Sequence, residues 1–485
     1  MEKEKRLPTY IEAVTPFVML VVLVVVGYIF LKLKIEFLLI LAAIVAGLIA
    51  RRLGYTWNEM ENTIGERLKS ITQAILIMWC VGMIIGTFMF SGSIPMMIRY
   101  SLKLINPQYL FAFSFIICVI LSVVTGTAWG AVGTAGVAMM GVAAGLGLPL
   151  DITAGAVISG AIFGDKMSPL SDTTNLSAAS AGVDLYAHIK HMLYTTVPAS
   201  IISLIVYLVV GFNVIEAGSA LPETAVMMVN SLDQMFNWNI LTLLPLVIVF
   251  GGAFLKKPTV PTMIFASIIA IVVGVWINGF TLQNGVAASI VGFTASMVNV
   301  PGFDLSTISL EVTKLVNRGG MRSMVGIITI IYCGYSFASI ISKTKCLDVM
   351  LAPIVKLTKT RGQVMFATVI SSILLSFAAG TSYVPTIMIP EMFRESFIRT
   401  GMKLTNLSRT LEDAGTCINP LIPWGMSGIF YATTFNMSVM AYAPWAILCW
   451  MTPILAVIYG FTGFGIATLN DDERNELAEK NNISL

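Results

Sequence analysis

Twice along this chain an apolar stretch long enough to cross a bilayer is interrupted by the same pattern, Gly-x-x-x-(Ser or Asn)-Pro-Leu, at 164–170 and again at 415–421. Each interruption follows an earlier break that opens with Gly-Thr, at Gly126 and Thr127 and at Gly380 and Thr381, 38 residues upstream in one half and 35 in the other. Hydrocarbon offers backbone N–H and C=O groups no partner, so a helix breaks there only where it is buried in protein or lines a polar cavity. Paired breaks at corresponding positions of two halves therefore point to a transport site.

The background composition agrees. Of 485 residues 56% are hydrophobic and only 11% charged, against about 25% charged in a soluble domain. A net charge of +3 without a basic run gives nucleic acid nothing to bind. The six cysteines are scattered, mostly in apolar segments with no C-x-x-C pair, and read as reduced small hydrophobes. The first apolar run, 13–33, has spanning length and no following cleavage site, and reads as a retained helix.

Plain spans are expected near 13–33, 35–50, 71–91, 192–213, 239–255, 261–279, 322–342 and 439–464. Hairpins broken at the Gly-Thr tips occupy 108–147 and 363–400, and broken helices 151–182 and 403–435. Amphipathic pieces at 92–105 and 344–359 suit an interfacial position just before the hairpins. The expected fold is an all-α polytopic membrane protein of inverted-topology repeats, each with three spans, a re-entrant hairpin, a broken helix and a final span, about 10 spans plus 2 hairpins in all. The first repeat covers 1–213, an extracytoplasmic linker 214–238, the second repeat 239–468 and a cytoplasmic tail 469–485. Five crossings per half invert the second half relative to the first. With both termini cytoplasmic, 21 Lys and Arg residues lie inside and seven outside, with Lys166 left in a break, the asymmetry a cytoplasmic-membrane protein shows.

The first broken helix reads Gly164-Asp165-Lys166-Met167-Ser168-Pro169-Leu170-Ser171-Asp172-Thr173-Thr174-Asn175. Asp or Lys at mid-bilayer costs about 2.5–3.5 kcal/mol each on insertion scales, and three stand here within eight positions. Ser168, Ser171, Thr173, Thr174 and Asn175 supply the hard oxygen ligands a small cation prefers. Lys166 is a charge partner for one carboxylate, leaving the other to hold Na+ or a proton. The alternative is structural: Ser171 or Asp172 caps the second half-helix, and Asp165 pairs with Lys166. The second break carries Asn419 where the first has Ser168, with Pro420 and Pro423 to unwind it. Glu412 and Asp413 stand three and four residues after Arg409, fitting either a helix-surface salt bridge or a proton-carrying role. Trp129, Tyr383 and Trp424 fall at breaks and, with Asn175, line a substrate pocket or merely plug the cavity. His188 and His191 fall in an expected cytoplasmic loop, as ordinary solvated histidines or a pH sensor.

These residues resemble the NhaC-type Na+/H+ antiporter family: the Gly-Thr-Ala-Trp-Gly tip at 126–130, followed by Gly-Asp-x-x-Ser-Pro-x-Ser-Asp-Thr at 164–173. The paired hairpin and broken-helix layout is similar to the wider ion transporter superfamily over nearly the whole chain. The resemblance implies a secondary transporter rather than an enzyme, with a scaffold, an elevator-like moving domain and a homodimeric assembly in the lipid bilayer. It implies Na+ and H+ as cargo, or Na+-linked exchange of a small organic acid such as malate or lactate. By position it makes Thr127, Asp165, Ser168, Asp172 and Thr173 cation- or proton-handling candidates, and internal symmetry adds Thr381, Asp413 and Asn419. The runner-up, coupled transport of an organic anion or amino acid, also draws on the tip aromatics and the free N–H groups of half-helices. No P-loop, haem-ligating histidine pair or cysteine cluster is present, so no cofactor and no metal other than transported Na+ are expected.

Overall fold

In the computed structural model, which describes residues 5–104, 106–214, 223–255, 257–300, 302–356, 358–480 and 483, the chain is almost entirely helical. Among the described residues the only β pairing is two isolated bridges, Phe293 with Arg318 and Met402 with Thr468. Seven helices are long and apolar enough to span, or up to ten if each bent pair is one span, so the all-α polytopic class holds. Residues 215–222 of the expected linker, residues 481–482 and 484–485 of the tail, and Lys3 and Lys256 of the charge count lie outside the described residues.

The first half runs through α1 (Tyr10–Val22), continued as a π-helix over Leu23–Phe30, α2 (Ile35–Arg52), α3 (Trp57–Ser70), α4 (Thr72–Ser91) and α5 (Ser93–Leu104). The hairpin follows as α6 (Leu110–Thr125), α7 (Ala128–Ala131) and α8 (Val137–Gly145), then the broken pair α9 (Leu150–Met167) and α10 (Asp172–Ala181), and α11 (Leu185–Val214). After α12 (Glu223–Met235) come α13 (Leu244–Phe254), α14 (Thr259–Asn278), α15 (Leu282–Val291), α16 (Leu310–Val316), α17 (Val325–Lys343) and α18 (Cys346–Lys356). The second hairpin is α19 (Arg361–Ala379) and α20 (Tyr383–Arg399), and the second broken segment α21 (Leu404–Leu411), a π-turn over Glu412–Thr416 and α22 (Met426–Phe435). The chain closes with α23 (Val439–Tyr442), α24 (Ile447–Thr462) and α25 (Asp471–Lys480).

Local chemistry sets these boundaries. Thr9 with Glu12 and Thr56 with Glu59 form capping boxes that start α1 and α3. Gly126 and Gly380 end α6 and α19 in the left-handed region, at φ +67° and +68°, where a side chain would be strained. Pro169 and Pro420 stand at the two breaks and supply no N–H.

Packing crosses between the halves reciprocally: α2 lies along α17, and α4 along α14. Each hairpin's first arm packs against its own half's final span, α6 on α11 and α19 on α24. Among the described residues two large hydrophobic clusters and a small one (Ala338, Ala379 and Val384) result, and the second break feeds both large ones, Cys417 and Met426 into one, Ile418, Ile422 and Trp424 into the other. The expected amphipathic pieces are α5 and α18. The expected plain span 439–464 is instead bent by 57° between Val439–Trp445 and Ile447–Thr462, where Ala446 leaves helical geometry at ψ 62°. The short helices α3, α15 and α16 have no counterpart among the expected elements: α15 is apolar but only ten residues long, and α3 and α16 are not apolar spans.

Candidate functional site

The first hairpin is locked onto the first broken helix by small residues. Where α6 crosses α9, a Cβ at Gly160 would strike the Phe115 carbonyl and one at Gly164 would strike Ser122. Instead the backbones approach closely enough for the Ser122 hydroxyl to donate to the Ala161 carbonyl at 2.6 Å. At the tip, a Cβ on Gly126 would lie 2.6 Å from the Cβ of Leu170, and Ser168 donates from the break to the Val123 carbonyl at 2.9 Å. Hairpin tip and break therefore form one unit.

Within that unit the freed carbonyls find side-chain donors. Thr174 reaches back to the carbonyls of Asp165 (3.2 Å) and Lys166 (3.0 Å), and the Asn175 amide donates to those of Pro169 (2.9 Å) and Ser171 (2.6 Å). The Asp165 carboxylate, 9% exposed, lies near Ser171 and near Ala128 at the hairpin tip. Ser171 also shares a bond with Thr173 at 3.0 Å. Asp172 opens α10, is exposed, and accepts from the Thr173 N–H at 3.0 Å and from the Tyr383 hydroxyl of the other hairpin. Among the described residues no Lys, Arg or His nitrogen lies within 4.0 Å of Asp165 or Asp172.

The second hairpin and break repeat the arrangement with neutral groups. The Met426 N–H donates to the Gly380 carbonyl at 2.8 Å, and the Trp424 indole to the Phe377 carbonyl at 2.7 Å. Asn419 accepts from the Ser427 N–H at 3.0 Å, while Thr381 accepts from the Tyr383 N–H at 3.3 Å. The tip aromatics cross over. Tyr383 reaches Asp172 at the start of α10, and Trp129 reaches the Ser427 hydroxyl in the first turn of α22 at 3.4 Å, stacking on Phe430 at 5.4 Å. Each hairpin thus touches the other half's second half-helix. Trp424 is buried, with its indole bonded back to the first arm of its own half's hairpin.

Lys166 does not pair within its own break. Its ammonium is fully buried against Asp413, 247 positions along the chain. Asp413 also accepts from Thr195 of α11 at 2.9 Å and stands 3.8 Å from the Arg409 Nε. All three charged side chains are fully buried, so the expected alternatives of an Asp165–Lys166 pair and of a helix-surface salt bridge at Arg409 are both replaced by one interior cluster. Arg409 donates onward to the Gly465 carbonyl at 2.6 Å. Neighbouring Glu412 is buried too and takes a bond from Ser177 at 2.7 Å. His188 and His191 are likewise interior rather than in a loop: both sit in the first turns of α11, bonded to Ser408 (2.8 Å) and Asn406 (3.0 Å) of α21. Residue-type reasoning passed over Thr195 and Ser177, which look like ordinary hydroxyls in apolar helices.

A cavity of about 190 Å³ lies outside the first hairpin tip, walled by Thr127, Leu170, Ile84, Lys257, Thr259 and Met263 among others. Thr127 thus faces this cavity, next to Ala128, which lies near Asp165.

The sequence matches the profile of the Na+/H+ antiporter family over residues 7–179 and 160–464. It is 39% identical to an uncharacterized Na+/H+ antiporter of Haemophilus influenzae, across 96% of this chain and 98% of that one. It is 35% identical to the Na+/H+ antiporter NhaC of Alkalihalophilus pseudofirmus, across 90% and 92%. It is 34% identical to a malate-2H+/Na+-lactate antiporter of Bacillus subtilis, across 95% and 96%.

Proposed function

This chain belongs to the Na+/H+ antiporter family, and from that premise we propose that it exchanges Na+ for protons by elevator-like alternating access, with the two cargoes competing for the Asp165–Asp172 break. One observation carries this reading: two carboxylates stand among Ser168, Ser171 and Thr173 with no cation of the described residues in salt-bridge range, while the nearby Lys166 is committed to Asp413. The exposed Asp172 adds negative charge that draws either cargo; Asp165 beside it is buried, and a carboxylate taken out of water needs a counter-charge or a proton. Here Na+ supplies the first and H+ the second, so loading one displaces the other. The reading takes the reciprocal packing of α2 on α17 and α4 on α14, and the paired breaks, as the two inverted repeats. It places both termini in the cytoplasm on the Lys and Arg distribution, and takes the assembly as a homodimer on the resemblance.

In proteoliposomes with an entrapped pH dye, the wild-type protein is expected to alkalinise or acidify the lumen when Na+ is added to either side. Asp165→Asn and Asp172→Asn, verified as folded, are expected to lose that response. Retention of Na+/H+ exchange by both variants would refute the assignment.

A second reading adds a small organic acid to the cycle. It is favoured by the cationic, hydroxyl-lined cavity beside the break and by the likeness to the malate-2H+/Na+-lactate antiporter.

A further inference from the structure

The cavity at the first hairpin tip is bounded by α4, the tip itself, the break at Leu170, α13 and the start of α14. Its volume of about 190 Å³ is below the ~300–1,000 Å³ of pockets for drug-sized ligands. Its occupant is therefore small. Lys257 is the one charged residue in its described wall, and no acidic residue lines it. Among the described residues the Lys257 ammonium has no ion-pair or hydrogen-bond partner, and neither do the hydroxyls of Thr127 and Thr259.

These groups define the chemistry of what fits. A lone ammonium repels Na+ and attracts a carboxylate. With no carboxylate in the wall, an amino group would have no counter-charge, so the cavity discriminates against a zwitterion. Free hydroxyls at Thr127 and Thr259 can bond a hydroxyl or a second carboxyl at the ligand's other end. The inner wall adjoins the ion site, since Thr127 and Leu170 immediately precede Ala128 and Ser171, both of which lie near Asp165.

We propose that this cavity binds a small organic acid, its carboxylate on Lys257 and its other polar end on Thr127 and Thr259, directly against the Na+-loaded break. The proposal rests on the second reading above and gives that reading a site. Adjacency supplies the coupling: Na+ held by Asp165 and Asp172 offsets the repulsion those carboxylates exert on the acid, so the acid binds better to the Na+-loaded protein.

The test is ligand-induced thermal stabilisation of the purified full-length protein, with L-malate, L-lactate and succinate as probes, in Na+ and in choline. L-ornithine and sulfate serve as controls. The expected result is stabilisation by at least one acid, stronger in Na+, with the apparent affinity weakened about tenfold or more by Lys257→Gln through loss of a charge-assisted bond. Lys257→Arg is expected to retain most of the affinity and Thr259→Val to lose part of it, so the site is tested even if one variant is unstable. Binding of the acids undiminished in Lys257→Gln would overturn the proposal. So would failure of all three acids to bind the wild-type protein, or sulfate binding equally well, which would mark a plain anion patch. Na+/H+ exchange assayed without any acid judges the primary reading separately, so the two fail in different experiments.

Discussion

Lys166 shows how far a residue's neighbours in sequence can mislead. Flanked by Asp165 and six positions from Asp172, it invites a local pairing, yet its partner Asp413 comes from the other broken segment. No periodicity announces a contact across 247 positions. The concentration of ionisable groups at the first break was legible because each costs so much in an apolar segment; which of them would neutralise each other was not. The same limit applies to His188 and His191, which lie near the cytoplasmic end of a span by composition but are buried because α21 supplies Ser408 and Asn406. The buried pair makes a quantitative prediction. Removing one partner strands a buried charge, a loss of about 3–5 kcal/mol. Lys166→Met or Asp413→Leu alone is therefore expected to lower the melting temperature sharply, and the two together to lower it less than the sum. Additive losses in that double-mutant cycle would mean the pair is not coupled.

At the scale of elements, the breaks and hairpins stand where the Gly-Thr and Gly-x-x-x-(Ser or Asn)-Pro-Leu patterns place them, because glycine and proline act through local backbone sterics that any context must obey. What the patterns withheld was the crossing of partners, with Tyr383 on Asp172 and Trp129 on Ser427. The bend at Ala446 was missed by hydropathy, since the span 439–464 is apolar throughout, although Pro444 two residues before it was a local signal. The tips differ in tightness. At Gly126 an added Cβ meets Leu170 at 2.6 Å, whereas at Gly380 the nearest atom, the Trp424 carbonyl oxygen, is 3.1 Å away. Both sit at positive φ, which for alanine costs of order 1–3 kcal/mol. Gly126→Ala is accordingly expected to impair folding and exchange more than Gly380→Ala, as read by melting temperature and initial exchange rate. Equal effects at the two tips would show that backbone strain alone, and not the contact with the break, governs the position.

Across the whole molecule, the family and the polytopic helical class follow from sequence similarity and from the apolar helices. Sidedness is a separate matter, resting on Lys and Arg placement. An impermeant thiol reagent is expected to reach a cysteine introduced at Asn470, at the start of the tail, only from the cytoplasmic face, and one at Asn237, before α13, only from the outer face. Labelling of both from one side would break the five-crossing parity of the second half, which lies between the two positions. The central claim is narrower: Na+ and protons compete for the carboxylates of the first break. It is tested most directly by binding of radioactive Na+ to the purified protein across a pH series. The account predicts that Na+ affinity falls as pH drops, with competition rather than a lost capacity, and that Asp165→Asn abolishes the pH-dependent component. Na+ binding that ignores pH, or that persists with the same pH dependence in Asp165→Asn and Asp172→Asn, would contradict it.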